Sequence, residues 1–116
     1  MNTKIYVNVA DEIGGPSALT QEQGNIIYEK IAYAIDNNLV ISLDFEQIES
    51  MISPFLNNSI GQLYGKYTSE QIQNALDLQH FPNEKKPTLN IVIANAKKFY
   101  ADKDKFNTIV EETINS

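Results

Sequence analysis

The chain contains no cysteine, no tryptophan and no arginine, and it has a single histidine. Without cysteine it can form neither a disulfide nor a thiolate nucleophile nor a cysteine-ligated zinc site. Without arginine it has no guanidinium group to clamp a phosphate with two parallel hydrogen bonds. No apolar run approaches the ~20 residues of a membrane span, and a signal-peptide pattern is missing. We therefore expect a cytoplasmic protein with no membrane partner.

Acidic residues outnumber basic ones, 15 to 9, which makes the formal net charge −6. The only clusters of positive charge are Lys85-Lys86 and Lys97-Lys98. Because binding to nucleic acid needs many clustered cations to neutralise phosphates, we expect no nucleic-acid partner. At 116 residues, with 42% hydrophobic residues, the chain is expected to form a single globular domain over residues 1–116.

Strands and helices alternate along the first half of the chain. Lys4–Val9 alternates apolar and polar residues, as a half-buried strand does. Thr20, with Gln23 three residues later, predicts the capped start of a helix that runs to Asn37. Leu39–Phe45 is apolar on nearly both faces, which predicts a central strand covered on both sides.

The second half continues this alternation. Ser53 is expected to cap a helix whose first residue is Pro54. A short helix or turn over residues 68–74 precedes a strand over 75–81, and Thr88 is expected to cap a further helix with a break near Asp102. This order predicts an α/β sandwich: a small mixed or mostly parallel sheet with helices packed on it.

Residues that could act in catalysis or metal binding are few and scattered. Asp44 ends the strongest strand, where it can be either a catalytic or metal-binding carboxylate or the cap of a turn. His80 has no neighbour in the sequence that would complete a catalytic triad or a metal site. Gly14–Ser17 is a turn cluster without the phosphate-loop pattern. We therefore expect no catalytic residues, no metal site and no cofactor, and a protein that is not an enzyme.

The stretch from Leu43 to Tyr67 resembles the STAS-like family, small bacterial domains related to the anti-sigma factor antagonists. In those antagonists a strand ending in Leu-Asp-hydrophobic leads through a serine-containing turn into a helix. Here Leu43-Asp44-Phe45 matches the strand end, Ile48 the next hydrophobic residue, Ser53 the start of the turn, and Leu63–Tyr67 the end of the helix. The resemblance implies a STAS-like α/β fold.

The resemblance also implies a function, a partner and a switch. Antagonists of this type bind an ATPase or kinase of the histidine-kinase fold, and phosphorylation of the turn serine controls that binding. This chain departs from the pattern, because Pro54 and Phe55 in one register, or Asn57 and Asn58 in the other, occupy the hydroxyl positions. Ser53 and Ser59 are the nearest serines and the candidates for phosphorylation.

The leading hypothesis is therefore a non-enzymatic, regulatory protein-interaction module. The residues expected to bind the partner are Asp44, Ser53, Asn57, Asn58 and Gln62. The alternative is a small-ligand or nucleotide-binding domain that uses the strand ends and the helix N-terminus at Ser53-Pro54. Pairing of the Lys4–Val9 strand across a homodimer is left open.

Overall fold

The computed structural model describes the backbone of residues 3–115 and the side chains of residues 3–101. Its main sheet contains three parallel strands, β1 (Lys4–Asn8), β3 (Val40–Asp44) and β5 (Leu76–Gln79), in the order β1-β3-β5. The strongest strand of the sequence is thus the central one. The expected parallel α/β arrangement is confirmed, and β1 lies at an edge of the sheet. Its pairing across a homodimer stays a prediction.

Within the described backbone, helices cover one face of this sheet. The face formed by alternate apolar residues of the three strands packs into the core, whereas Lys4 and Tyr6 on the other face are exposed, Tyr6 to 77%. The strands follow one another across the sheet in chain order. Because βαβ crossovers are right-handed, a chain that never reverses direction puts all its connecting helices on one face. Helices therefore cover β3 on one side only, contrary to the prediction of cover on both sides, although Ser42 on its other face is still buried.

A second, two-stranded sheet links the loops that leave β1 and β3. β2 (Ser17–Ala18) pairs in parallel with β4 (Ser50–Met51). The sequence pattern did not reveal these strands, nor the short helix α1 (Val9–Ile13) that Asn8 caps through its side chain. Gly14, in the expected turn, ends α1 with a φ of 87°.

Helices α2 (Gln21–Asp36) and α3 (Ser53–Ser59) follow these short strands. The capping box of Thr20 and Gln23 is present, as predicted. Ser53 is not the cap of α3, however. Ile52, extended and bonded to Ala18 as a continuation of β4, occupies the N-cap, and Ser53 is the first helical residue. The predicted helix beyond Ser59 tightens into a 3₁₀ helix, Gly61–Gly65.

The remaining elements are α4 (Ser69–Ala75) and the long helix α5 (Lys86–Asn115). A 3₁₀ turn, Asn83–Lys85, precedes α5, which therefore begins before the predicted cap at Thr88. The break expected near Asp102 is absent from the described backbone, since the segment has charged residues but no glycine or proline to interrupt a helix. The side chains from residue 102 onwards lie outside the described part.

The core lies between the covered face of the sheet and the helices. Most of its fully buried side chains come from α2, β3, α3 and the 3₁₀ helix that follows α3. They include Ile27, Ile31, Ile41, Leu43, Phe55, Leu56 and Leu63. This core joins α2 and α3 rigidly to the sheet, so their outward faces form a fixed surface. None of the helices described is long and apolar enough to cross a lipid bilayer.

Candidate partner-binding surface

Helices α2 and α3 approach each other unusually closely at Gly24. A Cβ atom at this position would lie 2.7 Å from the carbonyl oxygen of Phe55 and 2.8 Å from the Cβ of Asn58. Only glycine allows two backbones to come this close without displacement. The contact brings the polar side chains along the seam between the two helices within hydrogen-bonding distance.

Three amide side chains occupy this seam and form what we call the amide cluster: Asn25, Asn58 and Gln62. The Oδ1 atom of Asn25 accepts hydrogen bonds from Asn58 Nδ2 at 3.1 Å and from Gln62 Nε2 at 3.2 Å. Gln62 Nε2 also donates to the backbone oxygen of Asn58 at 2.8 Å. The cluster is partly exposed, so its remaining donors and acceptors face solvent and can bond to another molecule.

A groove of about 390 Å³ separates this seam from α5. Its walls carry Asn57, Gln62 and Asn95, together with the aromatic rings of Phe99 and Tyr100. The ring of Phe99 is 60% exposed. Amide groups beside a solvated aromatic ring provide both hydrogen-bonding and apolar contacts, which is the mixture found in protein interfaces.

Two exposed aliphatic side chains mark the start of the same helices. Leu19 precedes α2 and is 42% exposed, and Ile52 precedes α3 and is 43% exposed. The two segments that carry them are adjacent, because Ile52 N–H donates to the carbonyl of Ala18 at 3.1 Å. Ser53, also exposed, follows Ile52 directly. We call Leu19, Ile52, Ser53, Asn57 and the amide cluster the docking surface.

The other candidate serine is inaccessible. Ser59 is 1% exposed, on the inner side of α3, and its hydroxyl oxygen has no hydrogen-bond partner among the described residues. A kinase could reach this hydroxyl only after α3 had opened away from the core. Its phosphorylation stays a prediction, and Ser53 is the more accessible of the two.

Asp44 lies apart from the docking surface, at the carboxyl end of β3. Its Oδ1 atom accepts a hydrogen bond from the backbone N–H of Glu46 at 2.9 Å, so Asp44 caps the turn that follows the strand. The same oxygen lies 3.0 Å from Nδ1 of His80, which follows β5. Both bonds lower the pKa of Asp44, and the bond from the Glu46 amide has the larger effect. Asp44 in turn raises the pKa of His80. His80 thus has a partner 36 positions away that the sequence pattern did not reveal.

This pair borders a cavity of about 540 Å³ on the open face of the sheet. The cavity is lined mainly by polar side chains, including Tyr6, Asn8 and Ser42, besides Asp44 and His80. Its floor is formed by Ser42 of the central strand, which is 3% exposed. Further along this face, Lys4 forms an ion pair with Asp77 at 2.8 Å, and this ion pair raises the pKa of Lys4 and lowers that of Asp77.

Comparison with known protein families agrees with this architecture. Residues 23–85, more than half of the chain, match the family model of a STAS-like domain of unknown function. The chain belongs to this family. No curated protein and no solved structure shows significant similarity to it. The match includes most of α2 and the whole of β3, α3 and β5, and therefore most of the docking surface and the Asp44–His80 pair.

The residues expected to bind a partner thus divide into two groups in this STAS-like domain. Asn57, Asn58 and Gln62 line the groove beside the seam and Ser53 begins α3, whereas Asp44 belongs to the strand-end cavity. Sequence reasoning missed Asn25, the acceptor that joins the amide cluster. Its only signal was Gly24 beside it, a residue that helix interiors disfavour unless another backbone approaches closely.

Proposed function

We propose that this STAS-like domain is a non-enzymatic regulatory module that binds a protein partner through its docking surface. The partner class that its resemblance to the anti-sigma factor antagonists implies is an ATPase or kinase of the histidine-kinase fold. The observation that carries the proposal is the exposure of Leu19 and Ile52 beside the half-exposed amide cluster. Exposed aliphatic side chains combined with polar groups are a usual composition of a protein interface.

The surface is also rigid, which favours binding. Gly24 and the buried core beneath α2 and α3 hold the backbones of the two helices in one arrangement. A surface that is already ordered loses little conformational entropy when a partner binds, so more of the contact energy appears as affinity. The surface carries no charged residue among those that define it, so binding should depend only weakly on salt.

Ser53 offers a means of regulation within this surface. A phosphate there would add nearly two negative charges beside Ile52, in the first turn of α3. The helix N-terminus tolerates that charge, whereas an apolar contact with a partner would not. Phosphorylation of Ser53 is therefore proposed to release the partner while leaving the domain folded.

Affinity capture with matched variants tests the proposal. Four proteins are immobilised: the wild type, the surface variants Ile52→Asp and Asn57→Lys, and the control Gln73→Lys. Gln73 is a suitable control because it is exposed on α4, outside the docking surface. We expect the wild type and the control to retain a histidine-kinase-fold protein, identified by mass spectrometry, that both surface variants lose. Circular dichroism verifies that all four proteins are folded. Equal retention by all four would refute the docking surface.

The cavity at the strand ends supports the alternative function. Its volume of about 540 Å³ is within the range that holds small ligands, and carboxyl ends of parallel strands commonly bind them. The helix at Ser53-Pro54 contributes little to this reading, because it has only seven residues and faces another part of the surface. Thermal-shift screening with nucleotides and small anions tests it. Lack of stabilisation at millimolar ligand would count against it.

A further inference from the structure

Asp44 and His80 are held next to each other at the carboxyl end of the main sheet. Asp44 ends the central strand and His80 follows the neighbouring edge strand. Their neighbours in the sequence hold the two segments together. Phe45 N–H donates to the carbonyl of Gln79 at 2.9 Å. The rings of Phe45 and Phe81 pack edge to face, with centroids 5.1 Å apart.

His80 is held in a conformation that costs energy. Its φ is 54°, in the left-handed region that residues other than glycine rarely adopt. A strain of this kind persists only where the surrounding structure enforces it, and such residues concentrate at binding sites. Here the strain turns the imidazole out of the strand and towards Asp44.

Glu46 completes a group of three ligand-bearing side chains. One ligand atom from each of Asp44, Glu46 and His80 lies within 4.8 Å of the other two. The contact between His80 Nδ1 and Asp44 Oδ1 is 3.0 Å. Two ligands of one metal ion, each bonded at about 2.0–2.2 Å, are separated by about 3.0–3.5 Å. The two groups therefore already stand at the separation that a shared ion requires.

We propose that Asp44, Glu46 and His80 bind a divalent transition-metal ion such as Zn²⁺ at the carboxyl end of the sheet. One imidazole nitrogen and two carboxylate oxygens form a set that suits zinc, while Mg²⁺ and Ca²⁺ prefer oxygen ligands alone. When His80 is protonated, the metal displaces the proton on Nδ1, and that proton is released to solvent; when His80 is neutral, the ring proton resides on Nε2 and none is released. The carboxylates bring two negative charges to the ion, in a domain that is acidic overall.

The ligands are well suited to a selective test, because His80 is the chain's only histidine and cysteine is absent. Zinc sulfate is titrated into the full chain, with calorimetry for affinity and stoichiometry and with NMR for the imidazole resonances. We expect one equivalent of zinc to bind and to shift both ring protons of His80. Magnesium chloride at the same concentration should leave them in place.

Variants separate a built site from a lone surface histidine. His80→Ala should abolish zinc binding, and Asp44→Asn and Glu46→Gln should each weaken it by at least about tenfold. Glu49→Gln, an exposed acidic residue on the same loop, is the matched control and should bind like the wild type. The proposal is overturned if the ring resonances stay unchanged at millimolar zinc. It is equally overturned if only His80→Ala weakens binding while both carboxylate variants bind normally.

Discussion

Replacing Gly24 with alanine should destabilise the domain, although alanine is the better helix former. The new Cβ would lie 2.7 Å from Phe55 O, 2.8 Å from Asn58 Cβ and 3.2 Å from Ser59 N. Two of these three atoms belong to the backbone, so α3 itself must move away from α2. Overpacking of this kind costs about 1–3 kcal/mol, and a backbone obstacle places the cost near the upper end.

The gain in helix propensity offsets only part of this cost. Alanine in a helix interior is favoured over glycine by about 1 kcal/mol. The net loss in the free energy of unfolding is therefore about 2 kcal/mol, which corresponds to a decrease in Tm of roughly 8 °C for a domain of this size. Urea denaturation followed by circular dichroism measures the first quantity, and a thermal scan measures the second.

Gly15→Ala provides the matched control for this experiment. A Cβ at Gly15 meets no atom within 4 Å, so stability should change by less than about 0.5 kcal/mol. A Gly24→Ala protein as stable as the wild type, or more stable, would refute the close approach of α2 and α3. The rigid geometry of the docking surface would then have no basis.

Three further predictions concern single polar groups. His80 should titrate above its ordinary pKa of 6.5 in an NMR titration, and Asp44→Asn should lower that pKa. While Asp44 is ionised, the stabilisation by this pair is fully present below pH 6.5, and it is lost as the pH rises through the folded-state pKa of His80, so chemical denaturation should show a decline that Asp44→Asn removes. Ser59→Ala should leave the urea midpoint unchanged or raise it, because the buried hydroxyl has no described partner. Tyr67→Phe should lose about 1 kcal/mol in the same assay, because it removes the 2.8 Å hydrogen bond from Tyr67 Oη to Asp36.

Each of these predictions has an outcome that contradicts it. A His80 pKa at or below 6.5, or one that Asp44→Asn leaves unchanged, would show that the pair does not form in solution. A clear loss of stability in Ser59→Ala would reveal a partner for that hydroxyl. A Tyr67→Phe protein with wild-type stability would mean that water replaces the bond to Asp36 at no cost.

Local patterns predicted much of the fold, because they depend on residues close in the chain. The capping box at Thr20 and the largely apolar composition of β3 were sufficient to place α2 and the central strand correctly. Ser53 was misjudged because its role depends on β2, which extends the pairing of β4 as far as Ile52. A cap predicted from residue type alone cannot include that distant strand.

The chemistry of the sites was harder to predict, since it depends on which distant residues meet. The sequence separates Asp44 from His80 by 36 positions and Asn25 from Asn58 by 33, yet both pairs are in hydrogen-bonding contact. The open face of the sheet likewise follows from strand order. The apolar character of β3 is compatible with either one or two covered faces, and only the topology decides between them.

The most direct test of the docking surface is quantitative binding of the captured partner to wild type and Ile52→Asp. Purified partner, identified as a histidine-kinase-fold ATPase or kinase, is titrated against each domain, with Gln73→Lys as the control. We predict that Ile52→Asp weakens binding by about tenfold or more, since it buries a charge in an apolar contact, while the control binds normally. Equal affinity for all three proteins would contradict the proposal that this STAS-like domain works through its α2–α3 surface.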